Sequence, residues 1–356
     1  MTSTKTAPTA STPRAAGFRQ PAEWERHEAV WLAWPSHEDL WGGALESVRA
    51  AFASFAAAIA DVSPETGKPR GERLEILVPD PKNEALAKSA LPGLGARFHR
   101  IPFGDIWLRD TAPVFLKGRN GETASVSFSF NGWGGKYVLP HDDAVSSRIA
   151  DAAKLPSFRF DWVFEGGSVD VDGEGTCLTT RQCLLNPNRN PGMAIEAIED
   201  RLKDALGCTS VLWLGDGLLN DHTDGHVDTV ARFVAPGVVV CMRPSGSFDP
   251  NARALLGIDA DLCSFWDAQG RRLKVVNVPS PGLVTDGDGR TMPASYVNFY
   301  VANTTVIVPS YGAPNDERAR AALAMLFPTR RAVSVPAKEL LEGGGAFHCI
   351  SQQEPA

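Results

Sequence analysis

The feature that most constrains the fold is an alternation of strand-like and helix-like segments along almost the whole chain, without a linker that would divide it. Apolar residues recur at helical spacing from Val48 to Ile59, and the segment 74–79 then follows a strand pattern. Further helices are predicted at 142–153, 193–206 and 316–326, and further strands at 209–214, 275–278 and 301–309. The alternation predicts an α/β protein, and a helix spacing of roughly 50 to 70 residues indicates a repeated ββαβ unit.

The C-terminal segment contains a candidate nucleophile, Cys349, which is the eighth residue from the C-terminus and follows the glycine triplet 343–345. Glycine lets the backbone approach a ligand closely. A thiolate is a strong nucleophile when cationic or hydrogen-bonding partners favour it. Taken alone, the segment fits a buried terminal cysteine behind a flexible hinge better, so other residues must decide.

Other candidates are polar residues that precede turns or glycines. Asp110 comes before a Thr-Ala-Pro turn that follows the strand-like stretch 97–103, and Glu165 precedes two glycines. His226 and Asp228 lie two apart in a β-like stretch, and such residues project from the same face of a strand. Each feature alone is more often a surface turn than a site. Together they supply one nucleophile, one base and three acids.

This set of side chains favours a cationic substrate. Three carboxylates around a thiol raise its pKa and repel anions, so phosphates and peptide carboxylates fit poorly. A guanidinium is planar, and its hydrogen-bond donors match carboxylates bidentately. Two carboxylates can hold it, a cysteine thiolate can attack its central carbon, and a histidine can protonate the departing ammonia and then activate water.

Six segments, in register over nearly the whole chain, together resemble one known enzyme family. They read PAEWERHEAVWLAWP at 21–35, WLRD at 107–110, FNGWGGKY at 130–137, EGG at 165–167, DGHVD at 224–228 and GGGAFHCI at 343–350. The chain resembles agmatine deiminases and, more broadly, guanidine-modifying enzymes of the bacterial peptidylarginine deiminase type. Six motifs in one order are highly specific, although any one of them would not be.

The resemblance implies a five-bladed α/β propeller, the pentein fold, with the site at the centre of the ring. It implies a nucleophile Cys349, a general acid and base His226, guanidinium-binding carboxylates Asp110 and Asp228, a carboxylate Glu165 that orients the histidine, and an aromatic wall Trp107. It also implies hydrolysis of agmatine to N-carbamoylputrescine and ammonia without a metal or other cofactor. One departure is Ala313, where many relatives carry an acidic residue, which leaves local details of a pocket or interface open.

Three alternatives stay open from the sequence. In the first alternative, the enzyme acts on free arginine or peptidyl-arginine. In the second, the chain is a non-catalytic binding module of the same fold. The complete set of site residues argues against a binding module, which needs no nucleophile. The third is a zinc hydrolase, because His222 and His226 are four apart as in helix-borne zinc sites, although Gly225 weakens a helix there.

Composition sets the remaining expectations. A net charge of −7 argues against nucleic-acid or anionic-membrane partners, and no apolar run approaches the roughly 18 residues that span a bilayer. The six cysteines include no Cys-x-x-Cys pair and are expected to be reduced thiols. Residues 1–16 carry no signal-peptide pattern and are predicted to be a disordered tail before one catalytic domain at 17–356. We therefore expect a cytoplasmic enzyme, with homo-oligomerisation left open.

Overall fold

The strands of the described residues form five separate sheets. The computed structural model describes residues 11–356. In chain order the strands are β1 (Phe18–Arg19), β2 (His27–Ala33), β3 (Arg73–Val78), β4 (Arg97–Arg100), β5 (Val114–Gly118), β6 (Thr123–Ser129), β7 (Ser157–Val163), β8 (Val169–Val171), β9 (Thr176–Thr180), β10 (Ser210–Leu214), β11 (Ala231–Ala235), β12 (Val238–Arg243), β13 (Lys274–Pro279), β14 (Tyr300–Val301), β15 (Thr305–Ser310), β16 (Arg331–Pro336) and β17 (Gln352–Pro355). In order of neighbouring strands, the sheets are β17-β2-β3-β4, β1-β5-β6-β7, β8-β9-β10, β11-β12-β13 and β14-β15-β16.

Six longer helices connect strands within these sheets. They are α1 (Leu45–Ala60), α2 (Pro81–Ala90), α3 (Asp142–Ala153), α4 (Ile195–Leu206), α5 (Ala252–Ser264) and α6 (Asp316–Leu326). Short helical turns occur at Glu38–Trp41, Leu108–Thr111, Gly132–Gly135, Arg181–Leu184 and Lys338–Glu342, and 3₁₀ turns at Gly42–Ala44, Gly166–Ser168 and Val227–Thr229.

Every sheet repeats one arrangement of strands. An antiparallel pair is followed by a parallel strand, and a helix makes the crossover between the two parallel strands, as α5 does between β12 and β13. Parallel neighbours require a crossover of this kind, whereas antiparallel neighbours need only a short turn. The α/β class predicted from the alternating segments is therefore confirmed.

Helix α1 shows how the apolar pattern becomes core. Val48, Phe52, Phe55 and Ile59 lie on one face and are completely buried. The segment Glu38–Ala60 is the one described stretch whose length and apolar composition would allow it to cross a membrane, and 44% of its apolar window is buried within the protein. Packing against strands β3, β15 and β16 accounts for its apolar composition.

The two ends of the chain meet in one sheet. The C-terminal strand β17 pairs antiparallel with β2, and Gln352 lies opposite Trp31. The indole Nε1 of Trp31 donates a hydrogen bond of 2.9 Å to Glu354. The buried Arg109 donates to the carbonyl of His348 at 3.2 Å and to Gln353 at 2.7 Å. These contacts fix the segment that carries Cys349.

The helices predicted at 142–153, 193–206 and 316–326 and the strands predicted at 74–79, 209–214 and 275–278 lie within two residues of observed elements, whereas α2 and α5 were not predicted. The strand predicted at 301–309 is divided into β14 and β15, which pair antiparallel across a turn. Three further local predictions differ from the structure. The strand predicted from 226 begins only at Ala231, where β12 supplies a pairing partner; residues 227–229 form a 3₁₀ turn with local hydrogen bonds. The strand predicted at 97–103 ends at Arg100, so Asp110 lies in a helical turn and not at a strand end. Of the predicted tail 1–16, residues 1–10 lie outside the described residues, and residues 11–16 form hydrogen-bonded turns.

Phe347 anchors the C-terminal loop in the core, and this predicts a large effect of its removal. Its ring is fully buried and stacks on Phe55 with centroids 4.6 Å apart. We expect Phe347→Ala to lower the free energy of unfolding by about 3 to 5 kcal/mol, because it leaves a cavity in a packed core. The matched control is Phe248→Ala, at a ring that is 96% exposed. Chemical denaturation of both variants checks this, and equal midpoints would contradict it.

Candidate active site

A cavity of about 270 Å³ opens above Cys349. Aromatic side chains form much of its wall, and its lining includes Trp41, Trp107, Asp110, Trp133, Tyr137 and Cys349. Apolar walls with a few convergent polar groups are typical of small-molecule sites. Trp107, predicted as an aromatic wall, therefore lies in the lining together with two further tryptophans.

The predicted polar site residues are all buried and come from separate turns. Asp110 lies in the helical turn Leu108–Thr111, and Glu165 immediately precedes the 3₁₀ turn Gly166–Ser168. His226 caps the 3₁₀ turn that contains Asp228. Cys349 lies in the loop that leads into β17. The structure thus brings all five residues together, although His226 and Asp228 meet through a helical turn and not through the predicted strand face.

Gly167 marks the point at which three of these groups converge. A Cβ atom added there would lie 2.6 Å from His226 Nδ1, 3.1 Å from Asp110 Oδ1 and 3.1 Å from Asp228 Oδ2. Real Cβ atoms do not approach side-chain atoms as closely as 2.6 Å, so only glycine fits here. The imidazole and the two carboxylates therefore surround one small volume.

Asp110 is fixed by two hydrogen bonds. Its Oδ1 accepts from the backbone N–H of Gly167 at 2.8 Å, and its Oδ2 accepts from Trp133 Nε1 at 2.8 Å. Burial, together with the nearby charges of Glu165 and Asp228, raises the pKa of Asp110 against the opposing effect of His226. A bound cation would offset this and favour the ionised carboxylate.

His226 is held by Glu165, and Glu165 is held by Arg189. His226 Nε2 lies 2.7 Å from Glu165 Oε2, while Arg189 contacts both oxygens of the same carboxylate at 2.8 and 2.9 Å. Burial works against ionisation of Glu165, yet its partners His226 and Arg189 lower its pKa. Desolvation also opposes a charged ring, yet Asp110, Cys183 and Glu165 raise the pKa of His226 well above its usual value. The arrangement favours an imidazolium that can donate a proton.

The Cys349 thiol has no cationic partner among the described residues. Its Sγ lies 3.1 Å from Asn298 Nδ2 and 3.6 Å from Asp228 Oδ2. Burial first, and then the charges of Asp228 and Asp110, raise the pKa of this thiol well above its usual value. These surroundings therefore favour the protonated thiol over the thiolate.

The glycine triplet makes room for the aromatic wall. A Cβ on Gly343 would lie 2.3 Å from the Trp41 ring, and a Cβ on Gly345 would lie 2.8 Å from the Trp107 ring and 3.0 Å from Cys349 Sγ. The carboxylate of Asp105 accepts from the Nε1 of both indoles, at 3.2 Å from Trp41 and 2.8 Å from Trp107. The glycine triplet thus allows close packing around the thiol and does not act as a flexible hinge.

Several residues of the site were not predicted from the sequence. Trp133 lies in the quoted motif 130–137, but its left-handed backbone, with φ of 53°, and its bond to Asp110 are visible only in the structure. His348 precedes the nucleophile and lies within 2.6 Å of Asp228. Arg189 and Asn298 stand in no motif, so no local signal could have identified them.

One group of side chains has the composition of a metal site. Glu165, Cys183 and His226 each offer a ligand atom, and these atoms lie within 4.8 Å of one another. Arg189 already occupies both Glu165 oxygens, and its positive charge opposes a metal cation. His222 is exposed at the cavity mouth, away from the buried His226, so these two histidines do not form the helical zinc pair.

Comparisons with known proteins agree with this site. The profile of the family described as Porphyromonas-type peptidyl-arginine deiminase matches residues 19–355. The chain belongs to this family. The agmatine deiminase of Pseudomonas aeruginosa (strain LESB58) is 39% identical over 369 residues, which cover 97% of this chain and 98% of that protein.

Solved structures of similar proteins extend the comparison. The agmatine deiminase of Enterococcus faecalis superposes with a TM-score of 0.90 at 36% identity, covering 98% of this chain and 99% of that chain. A Cys-to-Ser variant of the C. jejuni agmatine deiminase with substrate bound gives a TM-score of 0.85 at 27% identity, covering 95% and 96%. The family resemblance inferred from the six motifs is confirmed.

The raised thiol pKa predicts that Cys349 reacts in a charge-dependent way. A neutral haloacetamide should alkylate it slowly and only at alkaline pH, because the free thiol stays protonated. A cationic haloacetamidine should label it rapidly near neutral pH, since its charge offsets Asp110 and Asp228. Peptide mapping follows both rates, with the exposed Cys263 of the same chain as the reference for intrinsic reagent reactivity. Equal pH profiles with a midpoint below the ~8.5 of a free thiol would contradict this account.

Proposed function

We propose that this protein hydrolyses agmatine to N-carbamoylputrescine and ammonia, as an agmatine deiminase. The observation that carries the proposal is the convergence at Gly167, where Asp110, Asp228 and His226 meet beside the Cys349 thiol. Two carboxylates and an aromatic wall suit a planar cation. The names of the similar proteins from P. aeruginosa and E. faecalis support the same activity.

The proposed roles follow from the contacts. Asp110 and Asp228 hold the guanidinium, and Trp107 lies in the wall beside it. The positive charge of the guanidinium favours the Cys349 thiolate, whose proton leaves to solvent. His226, kept protonated beside Glu165, faces the same volume and can donate to a leaving nitrogen. Each group thus has a task that its surroundings favour.

The proposed reaction has two halves. The Cys349 sulfur bonds to the guanidinium carbon, His226 gives a proton to one amino nitrogen, and the C–N bond breaks to release ammonia. A thiouronium then remains on Cys349. Water adds to the same carbon, passing one proton to His226 and one to solvent, and the C–S bond breaks with its electrons returning to sulfur. Ammonia takes up a proton in solution.

The lining of the cavity favours agmatine over arginine. Among the described residues that line it, none is a lysine or an arginine, whereas Glu342 lies at its mouth. Glu342 is exposed on the turn Lys338–Glu342, and its carboxylate suits the ammonium group at the far end of agmatine. The carboxylate of free arginine would find no matching cation, and a peptide substrate lacks the ammonium group that Glu342 would contact. Ala313 is not among the lining residues. Its backbone N–H donates to the Asp316 carboxylate, so the departure at this position affects a turn and not the cavity.

We also propose how the five sheets are arranged. The site residues come from turns that flank different sheets, and β17 joins the C-terminus to β2 near the N-terminus. These features support a five-bladed propeller with the site at the centre of the ring, formed by one catalytic domain at 17–356. All six cysteines are unpaired, which supports a reducing, cytoplasmic location.

The charge at the cavity mouth predicts a specific change in substrate preference. Ammonia release should be faster from agmatine than from free arginine or a blocked arginine peptide. Glu342→Gln should raise KM for agmatine roughly twofold to fivefold with little change in kcat, because it removes one exposed ion pair. The matched control is Glu339→Gln, which makes the same charge change on the same turn away from the cavity lining.

Steady-state kinetics of the three substrates with the wild type and both variants provide the test. The proposed function fails if the wild type prefers arginine or the peptide, or releases no ammonia from agmatine. The assignment of Glu342 fails if both variants change KM equally.

A further inference from the structure

His348 lies between two buried carboxylates beside the nucleophile. Its Nδ1 is 2.6 Å from Asp228 Oδ2, and its Nε2 is 2.9 Å from Glu23 Oε2. The side chain is 3% exposed. A neutral imidazole carries only one N–H, so both contacts are hydrogen bonds to ionised carboxylates only when the ring carries two protons.

The charge balance of the surrounding network points the same way. Glu23 also accepts from Arg232 at 2.9 Å and lies 3.4 Å from Arg109, and Arg232 pairs with Asp170 at 2.8 Å. Three buried carboxylates, those of Glu23, Asp170 and Asp228, therefore face two guanidinium groups. An uncompensated buried charge is costly, and an imidazolium at His348 completes the balance.

The contact with His348 engages only one oxygen of Asp228. Oδ2 accepts from His348, whereas Oδ1 is buried and has no hydrogen-bond partner among the described residues. The same Oδ2 lies 3.6 Å from Cys349 Sγ. Asp228 thus keeps one unsatisfied oxygen, in a carboxylate whose other oxygen lies beside the thiol that is proposed to react. A substrate guanidinium would supply the missing donor.

We propose that His348 is a positioning residue for substrate binding, which as an imidazolium between Glu23 and Asp228 keeps Asp228 ionised and leaves its Oδ1 free for the guanidinium. The inference rests on the proposed function and adds to it a residue that does not touch the substrate. Burial opposes ionisation of Asp228, but the hydrogen bond and charge of His348 lower its pKa. The charged and titratable groups that face His348 or Asp228 are Glu23, Asp170, Arg109, Arg232, His226, Asp110 and Cys349.

The test replaces His348 and follows pH dependence. In His348→Asn the amide can still donate near the former Nδ1 position, but the charge and the link to Glu23 are lost. The pKa of Asp228 should then rise, so the loss of kcat/KM on acidification should begin at higher pH than in the wild type. KM for agmatine at neutral pH should increase roughly tenfold or more, with a smaller change in kcat, because a charge-assisted contact is weakened.

The matched control is His27→Asn. His27 is another buried histidine, paired with the carboxylate of Glu72 at 3.1 Å, but its ring contacts Glu72 and Tyr300 and not Asp228. The His27→Asn variant should be less stable, but the acid limb of its kcat/KM profile against pH should not move. If both variants leave the acid limb in place, or both shift it equally, His348 has a structural role only and the inference is overturned.

Two measurements keep the inference testable if His348→Asn does not fold. The variant His348→Gln retains a donor toward Glu23 and should show the same shift of the acid limb. In the wild type labelled with ¹⁵N-histidine, both ring nitrogens of His348 should carry a proton at neutral pH, as its two carboxylate contacts require. One unprotonated ring nitrogen would overturn the proposal.

The closing comparison separates this inference from the proposed function. Labelling of Cys349 by a cationic haloacetamidine reports recognition of the cation without turnover. The proposed function would be contradicted by a wild type that labels rapidly but releases no ammonia from agmatine. In that case a slower labelling rate in the His348 variants than in His27→Asn would still support the role of His348. Equal labelling rates in all of them would overturn that role.

Discussion

The interaction on which the rest of the site depends is the mutual repulsion of buried carboxylates around one thiol. Asp110, Glu165 and Asp228 are almost fully removed from water. Arg189 compensates Glu165, and His348 contacts Asp228, but the described residues provide Asp110 only with neutral donors and the neighbouring His226. This arrangement supports the proposal that the site binds a cation, and the same carboxylates raise the pKa of the Cys349 thiol.

The fold supplies this charge arrangement from turns and not from the sheets themselves. Short helical turns hold Asp110 and Asp228, and a loop between Phe347 in the core and strand β17 holds Cys349. Glycines at 167, 343 and 345 allow these turns to approach one another without side-chain collisions. The sheets thus hold the turns that carry the reactive side chains in fixed positions, as preorganised sites require.

The sequence predicted the site better than the local structure that builds it. Residue type and order were enough to select Asp110, Glu165, His226, Asp228 and Cys349 as candidates, and the fold brings these five together, while their catalytic roles stay a prediction. The strand expected at His226 was wrong because apolar residues such as Val227 also fill 3₁₀ turns when no partner strand lies alongside. Arg189 could not be predicted, since its role depends on a contact with Glu165, which lies 24 residues away in sequence.

The central claim is that Cys349 bonds covalently to the guanidinium carbon of agmatine. It is tested most directly by acid quenching during turnover, followed by intact-mass analysis and peptide mapping. The account predicts a thiouronium adduct on Cys349 alone among the six cysteines, formed before N-carbamoylputrescine appears, and no adduct with little turnover in Cys349→Ser. Substantial turnover by Cys349→Ser, or an adduct on another cysteine with Cys349 unmodified, would contradict it.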